Sequence, residues 1–498
     1  MKIKLIESSY DEVKKIKKPH HEKPIRPNLF FRTLMKLVAL PDLLSTHFKS
    51  KWIGMERLGK KEPALFLMNH SSFIDLEIVA SLLYPRPFNI IATGDGFIGK
   101  DWLMRHIGCI PTNKFVTDPT LVRDIIYAVR KKHDSIVLFP EAGYSFDGTS
   151  TTLPETTAQL IKMLKIPVVM IHAFGAFSRD PLYNNLQRRK VDVSATVTYV
   201  LSPEEIAEKS VEEINEIVNR EFSFDNFEWQ HRRHISIKED FRADGLNRVL
   251  YKCPHCLAEG KTIGEGTVLR CLECGASYTL DEYGYLIPSP DNPPLADCAQ
   301  AACECGTVSC TFVTKAGPCD ENSSSASKNT SEEPTADAED RSATDSDTKK
   351  QESCSKDEKP ISFSHVPDWY RWERECVREE LERGEYSLDV PVDICMTVDT
   401  KHLYHIGLGR LRHSESGFVL DSEDGTLHYE QKPKASYTVN SDFNWYEIGD
   451  VISIGNNENL FYCFPTCEGD VVAKTRLAAE ELYKREINRS RADRKANV

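Results

Sequence analysis

Residues 63–81, PALFLMNHSSFIDLEIVAS, restrict the fold of this 498-residue chain more than any other stretch. The apolar run 64–68 has the length and flanks of a buried strand, and Ser71 and Ser72 then open a helix that carries Asp75. On one regular helix His70 and Asp75, five positions apart, would point about 140° apart. They face each other only if His70 lies in the turn before the helix and Asp75 in its first turn. That geometry suits a general base and the carboxylate that orients it.

The same residues also have a purely structural interpretation. Ser72 and Asp75 form a pair that resembles a capping box, and an acid in the first turn suits the helix dipole. A lone histidine after a strand is usually an ordinary loop residue. The stretch by itself therefore leaves both interpretations open.

Short apolar strands alternate with helical stretches between residues 52 and 200. The pattern predicts strands at 64–68, 88–92, 136–139, 168–172 and 193–200, and helices at 73–83, 100–107, 120–132 and 157–164. Such alternation indicates an α/β domain with a largely parallel or mixed sheet flanked by helices. Sites in open sheets of this kind gather at the carboxyl ends of strands. Asn69-His70 and Pro140-Glu141 both lie at such ends, so we expect them in one cleft.

Four sequence blocks carry a resemblance to a known family. Asn69-His70 followed by Asp75 resembles an NHxxxxD block, and GCIPTNK at 108–114 resembles a second block, with Lys114 where arginine is usual. FPEAGYS at 139–145 resembles a third block, FPEGTRS, with Tyr144 where arginine is common, and IPVVM at 166–170 resembles the fourth. Together, over residues 25–235, they resemble the 1-acylglycerol-3-phosphate (lysophosphatidate) O-acyltransferase family of the glycerophospholipid acyltransferases.

The resemblance implies an enzyme of phospholipid biosynthesis that moves a fatty acyl group from an acyl-CoA or acyl-carrier-protein thioester to lysophosphatidate, giving phosphatidic acid. His70 would be the general base and Asp75 the residue that orients it. The residues implied in substrate binding are Asn69, Lys114, Glu141 and Gly143. Glu141 would accept hydrogen bonds from the acceptor's glycerol oxygens, with a loop acid that caps a nearby amide as the alternative.

Two other functions stay open at this point. One is acyl transfer to a different lysophospholipid or to a glycolipid. The other is a non-catalytic scaffold that binds lipids or partners, although the intact His70, Asp75 and Glu141 argue against a dead enzyme. Cys109 lies near the second block, and a small buried residue fits it better than a nucleophile, because no paired base is evident.

Charge and hydropathy bear on partners and location. The net charge of −13 disfavours a nucleic-acid partner, yet residues 1–60 hold 14 Lys and Arg against 6 Asp and Glu. Residues 1–24 have the composition of a solvated segment, and 27–50 predict a pair of amphipathic helices interrupted at Pro41. Such helices suit the surface of an anionic membrane or packing on the next domain. No signal peptide or spanning segment is evident, so we expect a cytoplasmic, peripheral membrane protein.

Fifteen cysteines cluster along the chain, which points to metal binding rather than disulfides. Two CxxC knuckles separated by fourteen residues predict a zinc ribbon with a closed structural site. Iron in a similar site, or free thiols, is the alternative. The predicted ligands are Cys253, Cys256, Cys271 and Cys274. A second, irregular cluster fits no known spacing: Cys298, Cys303, Cys305, Cys310 and Cys319.

These patterns divide the chain into five parts. The basic N-terminal segment covers 1–50, the α/β domain 51–235, the zinc ribbon 248–290, a disordered linker 291–360 and a β-rich domain 361–490. The last part predicts a helix at 368–383, about seven short strands, and a closing helix at 471–487. Strands closed by a C-terminal helix resemble a pleckstrin-homology barrel.

Overall fold

The structure is a computed structural model that describes residues 3–112, 118–141, 143–151, 153–305, 360–435, 438–456 and 458–496. Lys114, Cys310, Cys319 and most of the predicted linker 291–360 lie outside the described residues. Within those ranges no helix has both the length and the apolar character needed to cross a bilayer.

The N-terminal segment packs on the rest of the chain, which differs from the solvated start that its composition indicated. Strand β1 (Leu5–Glu7) pairs in parallel with a strand of the C-terminal sheet. Helix α1 (Tyr10–Lys14) begins at a capping box of Ser9 and Glu12 and buries Tyr10 and Val13. The pairing partner of β1 lies almost 400 residues away in the sequence, so the composition of residues 1–24 could not reveal it.

Helix α2 (Leu29–Ser45) is one helix where the sequence predicted an interrupted pair. Asn28 caps it, because its side-chain oxygen accepts a hydrogen bond of 3.0 Å from the amide of Phe31. Pro41 lies inside the helix and removes one backbone donor. Ala39 and Leu43, buried on either side of Pro41, anchor the helix to the following domain, so packing outweighs the lost bond.

Residues 49–235 form the α/β domain, built on a seven-stranded sheet of order β2-β8-β7-β3-β6-β4-β5. All neighbours are parallel except β7 and β8, so the predicted mixed sheet flanked by helices is confirmed. The elements are β2 (Lys49–Ile53), β3 (Leu65–Met68), α3 (Ile74–Leu83), β4 (Phe88–Thr93), α4 (Asp101–His106), β5 (Cys109–Thr112), α5 (Pro119–Lys132), β6 (Ser135–Leu138), α6 (Glu155–Leu164), β7 (Val168–Phe174), α7 (Ala176–Arg179), β8 (Ser194–Leu201), α8 (Pro203–Glu208), α9 (Val211–Phe222) and α10 (Asn226–Arg233).

The two strands that the sequence pattern missed, β2 and β5, are the edges of this sheet. β2 reads KSKWI, which contains no apolar run, and it is exposed along its whole length. β5 is four residues long and contains Pro111. Edge strands are half-solvated and tolerate proline, which removes the usual signal.

A small antiparallel sheet follows, with strand order β12-β11-β10-β9. Its strands are β9 (Thr262–Glu265), β10 (Val268–Cys271), β11 (Ser277–Leu280) and β12 (Leu286–Pro288). Helix α11 (Asp297–Cys305) comes next and buries Cys298, Ala299 and Ala302. The start of the predicted linker is therefore ordered.

The C-terminal region is β-rich, as predicted, and its seven strands are antiparallel. Helix α12 (Val366–Glu382) precedes seven strands in the order β16-β15-β14-β13-β19-β18-β17, and β1 pairs with β14. The elements are β13 (Leu388–Thr397), β14 (Leu403–Ser414), β15 (Gly417–Ser422), β16 (His428–Gln431), β17 (Asn440–Trp445), β18 (Gly449–Gly455), β19 (Leu460–Pro465) and α13 (Val472–Ala496). The likeness to a pleckstrin-homology barrel stays a prediction.

One continuous apolar core joins the small sheet, α12 and the C-terminal sheet, and it reaches the α/β domain in the loop after β6. In that loop the ring of Phe146 lies 4.6 Å from the ring of Phe443 in β17. The guanidinium of Arg476 in α13 lies 4.3 Å from the centre of the Phe146 ring on the same loop. The C-terminal region therefore packs directly beside the carboxyl edge of the α/β sheet.

Candidate active site

The turn after β3 is held to the neighbouring strand β7 by Asn69. Its side-chain nitrogen donates to the carbonyl of Ala173 at 3.1 Å, and its side-chain oxygen accepts from the amide of Ala173 at 2.8 Å. Asn69 is fully buried. These contacts are with backbone, so a role for Asn69 in substrate binding stays a prediction.

His70 and Asp75 lie face to face. Nδ1 of His70 lies 3.0 Å from Oδ2 of Asp75, which is fully buried, while the His70 side chain is 18% exposed. A carboxylate can only accept here, so Nδ1 carries a proton, and in the neutral form of the ring Nε2 has the lone pair. Among the described residues Nε2 has no hydrogen-bond partner. Nε2 is therefore the atom available to take a proton from a substrate.

The same aspartate oxygen also caps the turn. Oδ2 of Asp75 accepts hydrogen bonds from the amides of Ser71 at 2.7 Å and Ser72 at 3.0 Å. The predicted contact with His70 and the structural role of Asp75 are therefore compatible, because one carboxylate fixes both the turn and the imidazole, and a catalytic role stays a prediction.

The imidazole of His70 lies between two aromatic rings that sequence reasoning missed. The ring of Phe139 stacks on it at 4.2 Å, and the ring of Tyr144 lies 4.3 Å away on the other side. Burial raises the pKa of Tyr144 well above its usual value, and Asp442 of β17 adds to that shift. The sequence signal for these contacts was that Phe139 and Tyr144 flank the PEAG segment at 140–143.

Glu141, in the third sequence block, is hydrogen-bonded to the backbone of the first block. One carboxylate oxygen accepts from the amide of His70 at 3.0 Å, and the other accepts from the amide of Thr151 at 3.0 Å. The amide of Ser145 in turn donates to the carbonyl of His70 at 2.9 Å. These contacts match the loop-acid alternative, and binding of the acceptor's glycerol oxygens by Glu141 stays a prediction.

The other residues proposed near the substrate have mixed outcomes. A Cβ built on Gly143 would meet nothing within 4 Å, so the backbone there borders open space. Cys109 is buried, and burial raises the pKa of its thiol to about 12, which argues against a nucleophilic thiolate.

The four predicted cysteine ligands meet at one point. Their sulfur atoms all lie within 4.8 Å of one another, with Cys253 and Cys274 3.7 Å apart and Cys256 and Cys271 3.7 Å apart. A tetrahedral site with bonds of about 2.3 Å has sulfur atoms about 3.8 Å apart, so these residues fit a metal ion. No other such group of ligands occurs within the described parts of the chain.

Comparison with known proteins picks out the part of the chain that carries this site. Residues 49–172 match the acyltransferase family model. The match covers about a quarter of the chain and includes His70, Asp75 and Glu141, but neither the cysteine cluster nor the C-terminal sheet. We refer to residues 49–235 as the acyltransferase domain.

A solved structure is similar over part of the chain. It is the 1-acyl-sn-glycerophosphate (LPA) acyltransferase PlsC from Thermotoga maritima, with 15% sequence identity and a TM-score of 0.32. The alignment covers 38% of this chain and 78% of that one. No curated protein matches this chain.

Glu141 should make stability depend on pH. Burial raises its pKa to about 7, above the 4.5 of an exposed glutamate, despite two amide donors. Between these pH values the folded state binds the extra proton, so stability falls as pH rises from about 4.5 to above 7. Glu141→Gln should remove that part of the fall, about 3 kcal/mol over the whole window.

Melting temperatures measured from pH 5 to pH 8 test this. Glu208→Gln, at an exposed helical position, is the matched control and should keep the wild-type slope. Equal slopes for wild type and Glu141→Gln would contradict the assignment.

Proposed function

We propose that this protein is a glycerophospholipid acyltransferase that moves a fatty acyl group from an acyl thioester to the sn-2 hydroxyl of 1-acylglycerol-3-phosphate, giving phosphatidic acid. The observation that carries the proposal is the buried Asp75 that holds His70 with Nε2 free, inside a segment that matches the acyltransferase family. The donor is acyl-CoA or an acyl-carrier-protein thioester.

The chemistry asks little of the protein beyond a base and positioning, since a thioester is already activated. Nε2 of His70 takes the proton of the sn-2 hydroxyl, and the hydroxyl oxygen attacks the thioester carbonyl. Asp75 stabilises the imidazolium that forms. The carbon–sulfur bond then breaks, and the imidazolium returns its proton to the departing thiolate. No acyl-enzyme is needed, in keeping with the buried, protonated Cys109.

The acceptor's phosphate requires a cation. Lys114 stands where the family block usually carries arginine, and lysine binds phosphate as a point charge without the bidentate fork of arginine. Glu141 and Gly143 would border the glycerol backbone. Since Lys114 lies outside the described residues, this part of the proposal comes from the sequence resemblance.

Acyl transfer from a labelled thioester to competing acceptors tests the function. Lysophosphatidate, lysophosphatidylcholine and glycerol 3-phosphate are offered together, with either acyl-CoA or acyl-carrier-protein donors. Product from lysophosphatidate alone supports the proposal. Transfer to lysophosphatidylcholine or to glycerol 3-phosphate keeps the chemistry and changes the acceptor, and no transfer from either donor favours the non-catalytic scaffold.

We also propose that the cysteine cluster binds zinc as a structural site. Four thiolates fill a tetrahedral shell and leave no open position for catalysis. His255, inside the first knuckle, is engaged elsewhere, since its Nε2 lies 2.8 Å from the hydroxyl of Tyr278. The metal would hold the two knuckles of the ribbon together.

The outer face of α2 is proposed as the surface that meets the membrane. One face of the helix packs on the acyltransferase domain, while large apolar side chains on the other are exposed. Trp102 of α4, 64% exposed, extends this face, and its ring lies 5.9 Å from that of Phe31. The exposed apolar residues of α2 are Leu29, Phe30, Leu34, Leu37, Val38 and Leu44. The excess of basic residues in 1–60 favours anionic lipids.

Sedimentation with anionic vesicles tests the membrane surface. Phe30 and Val38 are each 67% exposed, so the double substitution to glutamate removes apolar contact without opening a core. We expect vesicle binding to fall more than about tenfold, given roughly 1.5–3 kcal/mol per buried side chain. Leu408→Glu, at a half-exposed leucine of β14, is the control and should bind as wild type. Unchanged binding of the double variant would refute this surface.

A further inference from the structure

The loop after β6 fixes the position of His70 through backbone and side-chain contacts. The carboxylate of Glu141 accepts from the amide of His70 at 3.0 Å, and the amide of Ser145 donates to the carbonyl of His70 at 2.9 Å. The rings of Phe139 and Tyr144 lie 4.2 Å and 4.3 Å from the imidazole. The position of the imidazole therefore depends on the position of this loop.

The C-terminal region holds the same loop through Phe146, which is 3% exposed. The ring of Phe146 lies 4.6 Å from the ring of Phe443 in β17 and 4.3 Å from the guanidinium of Arg476 in α13. A cation beside an aromatic ring is attracted most strongly where water is excluded, and Arg476 is 6% exposed. Phe146 directly follows Ser145, so a shift of Phe146 is passed to the residue that is bonded to His70.

Arg476 is itself held by a network of ion pairs. Its Nε donates to one carboxylate oxygen of Glu480 at 3.1 Å, and the hydroxyl of Thr438 donates to the same oxygen at 2.9 Å. Arg374 of α12 pairs with the other oxygen of Glu480 at 2.7 Å. The network fixes the guanidinium beside the loop, because the carboxylate that binds it is held from two further sides.

These supports belong to this chain's own C-terminal region. The segment that matches the acyltransferase family ends at residue 172, so it contains neither Phe443 nor Arg476. A general base works only when the residues packed behind it hold it within about 0.5 Å of the productive geometry. Contacts that fix the loop after β6 therefore bear directly on the placement of His70.

We propose that Arg476 and Phe443 are positioning residues for acyl transfer. They hold the loop after β6 through Phe146, and the loop holds the imidazole of His70 against Asp75. Their effect passes through Phe146 and not through contact with the reacting atoms. This inference rests on the proposed function, because it gives two residues of the C-terminal region a part in that reaction.

Kinetics of the full chain give the first test. Arg476→Met keeps the apolar stem without the charge, and Phe443→Leu keeps apolar volume without the ring. We expect each to lower kcat/KM by about 10- to 100-fold, since a displacement of 1 Å can cost about 10²-fold. Arg476→Lys keeps a cation beside Phe146 and should restore most of the activity. Arg485→Met is the matched control, because Arg485 of the same helix pairs with Glu415 at 3.0 Å and should be dispensable.

A spectroscopic measurement that needs no turnover separates positioning from a loss of stability. The Nδ1 proton of His70, in the 3.0 Å contact with Asp75, is expected to give a low-field proton NMR resonance, which His70→Ala identifies by its loss. Arg476→Met and Phe443→Leu should shift or broaden this resonance at temperatures well below their melting temperatures. Arg476→Lys and Arg485→Met should leave it unchanged.

The two readouts together decide the proposal. An unchanged resonance in the folded variants overturns it, and so does a shifted resonance with wild-type kcat/KM. Phe443→Leu leaves the ion pairs of Arg476 intact, so it provides the test if Arg476→Met does not fold. Absence of acyl transfer in the wild type would refute the proposed function, and the resonance alone then decides whether the two residues position His70.

Discussion

Replacing His70 with alanine is expected to lower kcat/KM for acyl transfer by about 10²- to 10⁴-fold, the usual contribution of a positioned general base. Nε2 is the ring nitrogen of His70 that can accept the substrate proton, because Nδ1 is held by Asp75 at 3.0 Å. The loss should appear in kcat rather than in KM, since the imidazole acts on the reacting hydroxyl.

Asp75→Asn should be nearly as harmful, for a different reason. An amide can donate as well as accept, so the imidazole is no longer held with Nδ1 protonated and Nε2 free. The amides of Ser71 and Ser72 also lose a charged acceptor, because both donate to the same carboxylate oxygen. We therefore expect a lower melting temperature together with the loss of rate.

A second histidine–aspartate pair supplies the control. His428 lies 2.6 Å from Asp421 in the C-terminal sheet, outside the segment that matches the acyltransferase family model, and is 62% exposed. His428→Ala should retain full activity in the same assay. A folded His70→Ala variant with near wild-type turnover would show that the base assignment is wrong, whatever the acceptor.

The geometry of His70 and Asp75 could be predicted because it is local. The geometry depends on the six residues from His70 to Asp75, on the strand before them and on the helix after them. Only one arrangement of the turn brings the two side chains together. The proximity of Glu141 was predictable for a related reason, since the carboxyl ends of parallel strands share one edge. The hydrogen-bond partners of its carboxylate could not be predicted, because the amides of His70 and Thr151 come within reach only in the folded turn.

The surroundings of the imidazole depend on contacts that no local pattern contains. Tyr144 stands where the family block commonly has arginine, and that difference does not reveal a contact with His70. In the fold its ring packs on His70 on one side, and it borders the core shared with the C-terminal sheet on the other. The pairing of β1 with β14 is of the same kind, since Glu7 and His405 lie 398 positions apart.

Removal of the metal from the cysteine cluster is expected to unfold the ribbon locally. The buried set around the sulfurs contains Cys253, Cys271 and Ala276 and little other apolar surface. Hydrophobic burial at that point is therefore small, and in the proposed zinc site the metal–thiolate bonds would supply the stability. Apparent binding free energies for structural zinc in small peptides are about 10–16 kcal/mol at pH 7, so we expect the two knuckles to loosen, while Leu269, Tyr278 and Leu280 keep β10 and β11 in the shared core.

The loosening should spread to α12 through Lys252, the residue next to Cys253. Its backbone amide donates to the buried carboxylate of Glu373 at 2.8 Å, and its carbonyl accepts from the indole of Trp369 at 3.1 Å. Both partners lie in the core of the C-terminal region. A knuckle that moves therefore removes one backbone donor from a buried carboxyl and leaves an indole N–H unpaired, at about 1–3 kcal/mol for a buried group left without its partner.

Cys271→Ser, or chelation of the wild type, should lower the melting temperature by roughly 10 °C and increase hydrogen exchange across 253–280 and α12. Cys467→Ser is the control, because Cys467 is only partly buried and lies outside the cluster. Mass spectrometry under native conditions should find one zinc per wild-type chain and none in Cys271→Ser. A metal-free wild type with unchanged melting temperature would mean that these thiols are held by packing alone. The exchange pattern then shows how far the stabilising effect of the ribbon extends. Loss of protection only at the knuckles would mean that the metal stabilises the ribbon alone. Loss that extends into α12 would mean that the ribbon also stabilises the contact between the acyltransferase domain and the C-terminal sheet.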